Sequence, residues 1–153
     1  MSLDPQTFLH MTVNQSNATK VELPEDGDYV AQIVDVTGRE VTFKSGDRAG
    51  TKGIGLDVIW QIDDPAVHEK LGRNPKVRQS MLLDMTPEGS LDFGKGRNVS
   101  LGRLREAVDQ NKDGQAWGFF MLKGSVATIT VKQRLDENDP SKAYADVVGV
   151  KKL

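Results

Sequence analysis

Gly89, Gly94 and Lys95 stand in the stretch GSLDFGKG (89–96) at the spacing of a phosphate-binding loop, G-x-x-x-x-G-K-[ST]. Such a loop cradles phosphates in backbone N–H groups, and its closing Ser or Thr hydroxyl binds Mg²⁺. Here the closing position is Gly96, which has no hydroxyl, and Arg97 follows it. A working loop also opens a helix at once, whereas the next helical pattern begins several residues later. ATP chemistry is therefore not expected. The remaining readings are a glycine-loosened loop that offers Lys95 and Arg97 to a phosphate, or a connector whose charges face water.

Other catalytic constellations are absent from the pattern. The chain has no cysteine, which excludes disulfides and thiolate zinc sites. His10 and His68 lie in unrelated segments, and Asp63-Asp64 reads as a helix cap. No spacing of Ser, His and Asp suggests a nucleophile, so no enzyme activity, metal or cofactor is expected.

What the residues do offer is stacking and charge. Aromatics make up only 6% of the chain, so each is worth placing. Phe43 borders a glycine-rich loop, Trp60 lies on a strand pattern and Tyr144 on another. Trp60 shares its face with Leu56, Val58 and Ile62, which favours a core position over a stacking one. Trp117, Phe119 and Phe120 read as packing under a helix. Among the cations, Arg48 and Lys52 sit on the glycine loop, Lys76 and Arg78 on a third strand, and Lys132 and Arg134 share a face of a fourth. Singly, each is an ordinary solvated side chain. Together they sketch an electrostatic groove with a few aromatic faces, the two parts that single-strand binding needs.

These residues are positioned by a mostly β pattern. Residues 1–26 read as a loosely structured lead-in, with 27–153 as one domain. A first strand, 28–36, alternates Tyr29, Ala31, Ile33 and Asp35 against Val30, Gln32, Val34 and Val36. A continuation follows at 39–44. SGDRAGTKGIG (45–55) is too glycine-rich for regular structure and reads as a mobile hairpin loop. A second strand covers 56–63, and a short helix at 63–72 starts at an acidic cap with a proline and ends at Gly72. The third strand is 76–85, with Val77, Gln79, Met81 and Leu83 opposite Lys76, Arg78, Ser80 and Leu82. A helix at 100–111 repeats Leu101, Leu104, Ala107 and Val108 at helical spacing, capped by Ser100 or Asn98. Strands at 125–135 and 142–150 flank an acidic loop. The class is all-β with one main helix, and a helix between strands three and four is the layout of an OB-fold, a five-stranded Greek-key barrel that binds oligonucleotides.

The bulk numbers agree with one soluble domain. A chain of 153 residues has enough length for a core of its own. No apolar run approaches the ~20 residues that span a bilayer. The beginning, MSLDPQTFLHMTVNQ, lacks the basic-then-apolar pattern of a secretory signal. Net charge is −2, unevenly spread: residues 1–36 carry six acids and one Lys, and residues 37–105 carry twelve Lys/Arg against nine acids. A modestly basic middle and a solvated mixed surface share these statistics.

The segments LPEDGDYVAQIVDV, GLDVIWQIDD, GKGRNVSLGRLREAV, MLKGSVATITVKQRLD and AYADVVGV resemble a family of small phage-encoded proteins, OB-fold single-stranded DNA-binding proteins. The resemblance covers roughly residues 20–150 and rests on ordinary residues in order. It implies non-sequence-specific binding that protects single strands during phage DNA replication or recombination in the host cytoplasm. It also implies phage or host replication proteins as partners, and a homo-oligomer as one assembly. Many single-strand binders close on an acidic tail that recruits such partners, whereas VGVKKL closes this sequence, so tail-mediated recruitment is not expected. On this reading the DNA-contacting set is Phe43, Arg48, Lys52, Trp60, Lys76, Arg78, Lys95, Arg97, Lys132, Arg134 and Tyr144. The alternative is a β-rich phage protein-interaction module in which the cations are incidental.

Overall fold

The computed structural model describes residues 3–44, 46–47 and 49–153. Its elements are α1 (Pro5–Phe8), β1 (Gly27–Thr42), β2 (Lys52–Ile62), α2 (Pro65–Leu71), β3 (Lys76–Leu83), α3 (Val99–Ala107), a 3-10 turn (Phe119–Leu122), β4 (Val126–Leu135) and β5 (Ala143–Lys151). Five strands close into a barrel in the order β1-β2-β3-β5-β4. All neighbours are antiparallel except β3 and β5, which run parallel and share a single pair, Arg78 with Asp146.

The alternating strands explain the core. Inward positions supply Leu56, Val58, Trp60 and Ile62 from β2, Val77, Met81 and Leu83 from β3, and Ala127, Ile129 and Val131 from β4. Each large apolar side chain buried this way contributes about 1.5–3 kcal/mol. Trp60 is wholly buried, and its indole N–H donates to Gln79 Oε1 at 3.0 Å, so its one polar atom is satisfied inside. α3 lies against β5 and β3 and adds Leu101, Leu104 and Ala107 to the same core.

Several expectations are corrected here. β1 runs unbroken through Gly38. Its alternation changes phase, so that Ala31, Ile33 and then Val36 are buried while Asp35 is exposed. The cause is a bulge between Ile33 and Asp35, which inserts one residue against β2 and turns the strand over. The glycine-rich stretch is loop only in part, since residues 52–55 belong to β2 and pair with both β1 and, from Ile54 on, β3. Helix is not confined to the stretch between β3 and β4. α1 precedes β1 within the stretch expected to be loose, while α2 joins β2 to β3 where the short helix at 63–72 was expected; Asp4 and Asp64 each accept a backbone N–H at the start of a helix whose first residue is proline. α3 ends at Ala107, ahead of Asp109, whose φ of 59° cannot continue a helix. Asn98 does not cap α3 with its side chain. That amide instead clasps Asp84: Asn98 Oδ1 accepts from Asp84 N–H at 2.7 Å, and Asn98 Nδ2 donates to Asp84 O at 2.8 Å.

Candidate nucleic-acid interface

Residues opposite one another across paired strands share a face, so the pairings describe the outside of the barrel directly. One row runs Arg39, Gly55, Leu82; the next Thr37, Asp57, Ser80; the next Asp35, Ile59, Arg78, Asp146, Lys132. Gln61 with Lys76, and Arg134 with Tyr144, complete it. The face therefore carries the cations Arg39, Lys76, Arg78, Lys132 and Arg134.

At its centre Asp57 is nearly buried, with Ser80 Oγ donating to it at 2.6 Å and Arg39 Nε at 3.1 Å. Burial would push its carboxyl up, but the bonds from Ser80 and Arg39 outweigh it and hold the group below the usual carboxylate range. Arg39 is thus locked flat on the sheet. Gly55 is what permits this: a Cβ there would sit 3.0 Å from Arg39 Cζ. Gly53 does the same for Phe43, whose ring atoms Cε2 and Cζ would lie 2.7 and 2.8 Å from a Cβ at that position. Two glycines in alternate positions of β2 leave two bare patches of backbone, each covered by one planar group. Phe43 and Arg39 form a flat platform at the hairpin end of the face.

At the other end, the seam between β3 and β5 opens into a cleft of about 710 Å³. Lys76, Arg78, Arg134 and Tyr144 line it, with Asp136 and Asp146. Arg134 pairs with Asp146 at 2.6 Å and lies over the Tyr144 ring, 4.8 Å from its centroid. The bond to Asp146 raises the Arg134 guanidinium further above its already high range. Among the described residues, no carboxylate comes within 4.0 Å of Lys76, Arg78 or Lys132.

The structure thus gathers Lys76, Arg78, Lys132, Arg134 and Tyr144 on one face, with Phe43 at its edge. Of the remaining candidates that are described, it does not bring Trp60, Lys52, Lys95 or Arg97 there. Trp60 offers no ring surface, being fully buried. Lys52 projects from the opposite side of the hairpin and pairs with Glu40 at 3.1 Å. Arg48 lies outside the described residues. Lys95 and Arg97 belong to the loop after β3, where Arg97 sits between Asp92 at 3.8 Å and Asp84 at 4.0 Å.

That loop also answers the phosphate question in GSLDFGKG. The Gly94 N–H is taken by Asp92 Oδ1, the Arg97 N–H by Gly94 O, and the Asn98 N–H by Asp84 Oδ2. These amides, which a phosphate cradle would present outward, are used to fold the loop on itself. Arg39 is the residue that sequence reasoning missed. Its signal was the alternation of Gly53 and Gly55 on the strand face opposite Leu56 and Val58.

Among the described residues there is no cluster of three or more His, Asp or Glu that could hold a metal, and no helix is long and apolar enough to cross a membrane. The fold and face define a closed five-stranded barrel with a flat aromatic-and-guanidinium platform at one end and a cationic cleft at the other. No protein-family model matches the chain, and no curated protein matches it either.

Proposed function

We propose that this barrel is an OB-fold and that the protein binds single-stranded DNA without sequence preference, protecting it during phage DNA replication or recombination. The observation that carries the reading is the single outer face that runs from the Phe43–Arg39 platform to the Lys76–Arg78–Arg134–Tyr144 cleft. Such a face supplies what a single strand needs: planar groups for exposed bases and cations along the backbone path. The barrel order β1-β2-β3-β5-β4 supports the OB assignment, because β4 returns to lie beside β1 after the run β1-β2-β3, as in a Greek key.

If the three cations of the face that no carboxylate holds among the described residues, Lys76, Arg78 and Lys132, each neutralise one phosphate, log K falls against log salt with a slope of about −2. Between 50 and 200 mM salt, affinity for an oligo-dT then drops about 20-fold. Fluorescence anisotropy with labelled oligo-dT measures this. Flat salt dependence, or equal affinity for duplex and single strand, would sink the proposal. The reading as a protein-interaction module draws on one observation, the capture of Arg39 and Arg134 by Asp57 and Asp146. It predicts no anisotropy change with oligo-dT at any salt.

A further inference from the structure

We propose that the groove where the loop after β3 meets α3 is a docking site for an acidic peptide that carries bulky apolar side chains. The proposal goes beyond the DNA reading and needs no nucleic acid. Its first mark is Phe93, which is 81% exposed. The loop that carries this ring is tied down. The Asp92 N–H donates to Asp84 O, Asn98 Nδ2 to Asp92 O, and the Gly94 N–H to Asp92 Oδ1. A hydrogen-bonded loop that holds a phenyl ring out in water presents it to a partner, and aromatic anchors of this kind dominate contacts between proteins.

The second mark is Gly102, inside α3. Its φ is not positive, and a Cβ there would meet nothing within 4 Å. Neither the backbone nor the packing of the fold therefore calls for glycine, and alanine would favour the helix. What the missing side chain keeps open is a groove of about 320 Å³. Phe93, Val99 and Gly102 line it together with Arg97 and Arg105, and Val99 is itself exposed.

Charge selects the occupant. Residues 93–105 carry Lys95, Arg97, Arg103 and Arg105 and no Asp or Glu. Among the described residues, no carboxylate comes within 4.0 Å of Lys95, Arg103 or Arg105. Asp92, the one carboxylate in the lining, already accepts the Gly94 N–H and faces Arg97 at 3.8 Å. Arg105 is held in place, since its Nε donates to Gln110 O at 3.1 Å and its guanidinium lies over the Trp117 ring. A guanidinium fixed beside apolar surface suits a carboxylate. A nucleic acid brings phosphates but no aliphatic side chain for the bare stretch of α3, whereas an acidic peptide with apolar side chains brings both.

Titration of the isotope-labelled full chain with the peptide Asp-Glu-Asp-Leu-Asp-Glu-Phe-Asp-Glu, followed by NMR amide shifts, tests this. The amides of Phe93, Val99 and Gly102 should shift and saturate. Serine in place of Leu and Phe should weaken the peptide at least about five-fold, and lysine in place of every acid should abolish binding. Gly102→Leu fills the groove and should weaken binding at least about ten-fold, while its urea midpoint does not fall. Phe93→Ser, at a ring already in water, should weaken binding as well, and it decides the matter if Gly102→Leu fails to fold. A lysine peptide that binds as tightly as the acidic one overturns the proposal, and so does a folded variant that binds like wild type. Two further results do the same: oligo-dT that moves these amides and displaces the peptide, which gives the groove to nucleic acid, and shifts at these amides on raising protein concentration alone, which gives it to a second copy.

Discussion

Gly53→Ala separates the role of Phe43 from the stability of the barrel. The added Cβ would stand 2.7 Å from Phe43 Cε2, against an ordinary contact of 3.4 Å or more, so the ring must withdraw by about 0.7 Å or swing off the sheet. The ring edge is the free end of a side chain, so this movement is cheap for the fold. Replacing glycine within a strand recovers roughly 0.5–1 kcal/mol of backbone entropy. Stability by urea unfolding is therefore expected to stay within ~1 kcal/mol of wild type. Binding is expected to move the other way. Stacking on an aromatic is worth about 1–3 kcal/mol per base, so displacing the platform weakens oligo-dT binding by at least about five-fold. Phe43→Ala should cost as much or more. Adding Gly53→Ala to Phe43→Ala should cost nothing further, because the glycine acts through the ring. Anisotropy at one fixed salt concentration measures all four proteins. Full additivity of the two changes, or both single variants within two-fold of wild type, would refute the platform.

Other consequences are more direct. Asp146→Asn releases Arg134 from its 2.6 Å pair; oligo-dT affinity should rise and the salt slope steepen by about 0.7, read from a salt titration. Trp60→Phe leaves the Gln79 amide oxygen without its buried donor, and urea unfolding should show a loss of roughly 1–3 kcal/mol, while iodide quenching of the wild type should reach Trp117 alone. Asp57 has a lowered folded pKa, so its stabilisation is present above the unfolded value near 3.8 and is lost as pH falls through the folded one. Asp57→Asn should therefore destabilise by about 1–3 kcal/mol at pH 7 and by progressively less below pH 4, measured by denaturant unfolding at each pH.

Strand alternation made much of the barrel readable. Val77, Met81 and Leu83 lie inward as their spacing requires, and Trp60 follows Leu56, Val58 and Ile62 into the core. The bulge after Ile33 was not readable, because the run Val34-Asp35-Val36 carries no glycine or proline to mark it. The cations were harder still. Composition places a charge on a strand or loop but not the carboxylate facing it: Lys52 and Arg134 each meet an acid whose place is set by hairpin register, and Arg97 meets one that the fold of its own loop brings round. Glycines misled in one place, since GTKGIG suggested a loop where Gly53 and Gly55 are strand residues kept bare for Phe43 and Arg39.

The seam joined by Arg78 and Asp146 has a consequence for how the chain acquires its shape. β1, β2 and β3 follow one another as a meander, and β4 and β5 form a hairpin, so both units rest on contacts local in sequence. Only the β1–β4 pairing and the seam span long stretches of chain, and loop closure makes such contacts slow to form. With a single pair holding it, the seam should be the last part of the barrel to shut and the first to part. Amide exchange along the facing edges of β3 and β5 should run ahead of the β1–β2 core, and the cleft lies along that line.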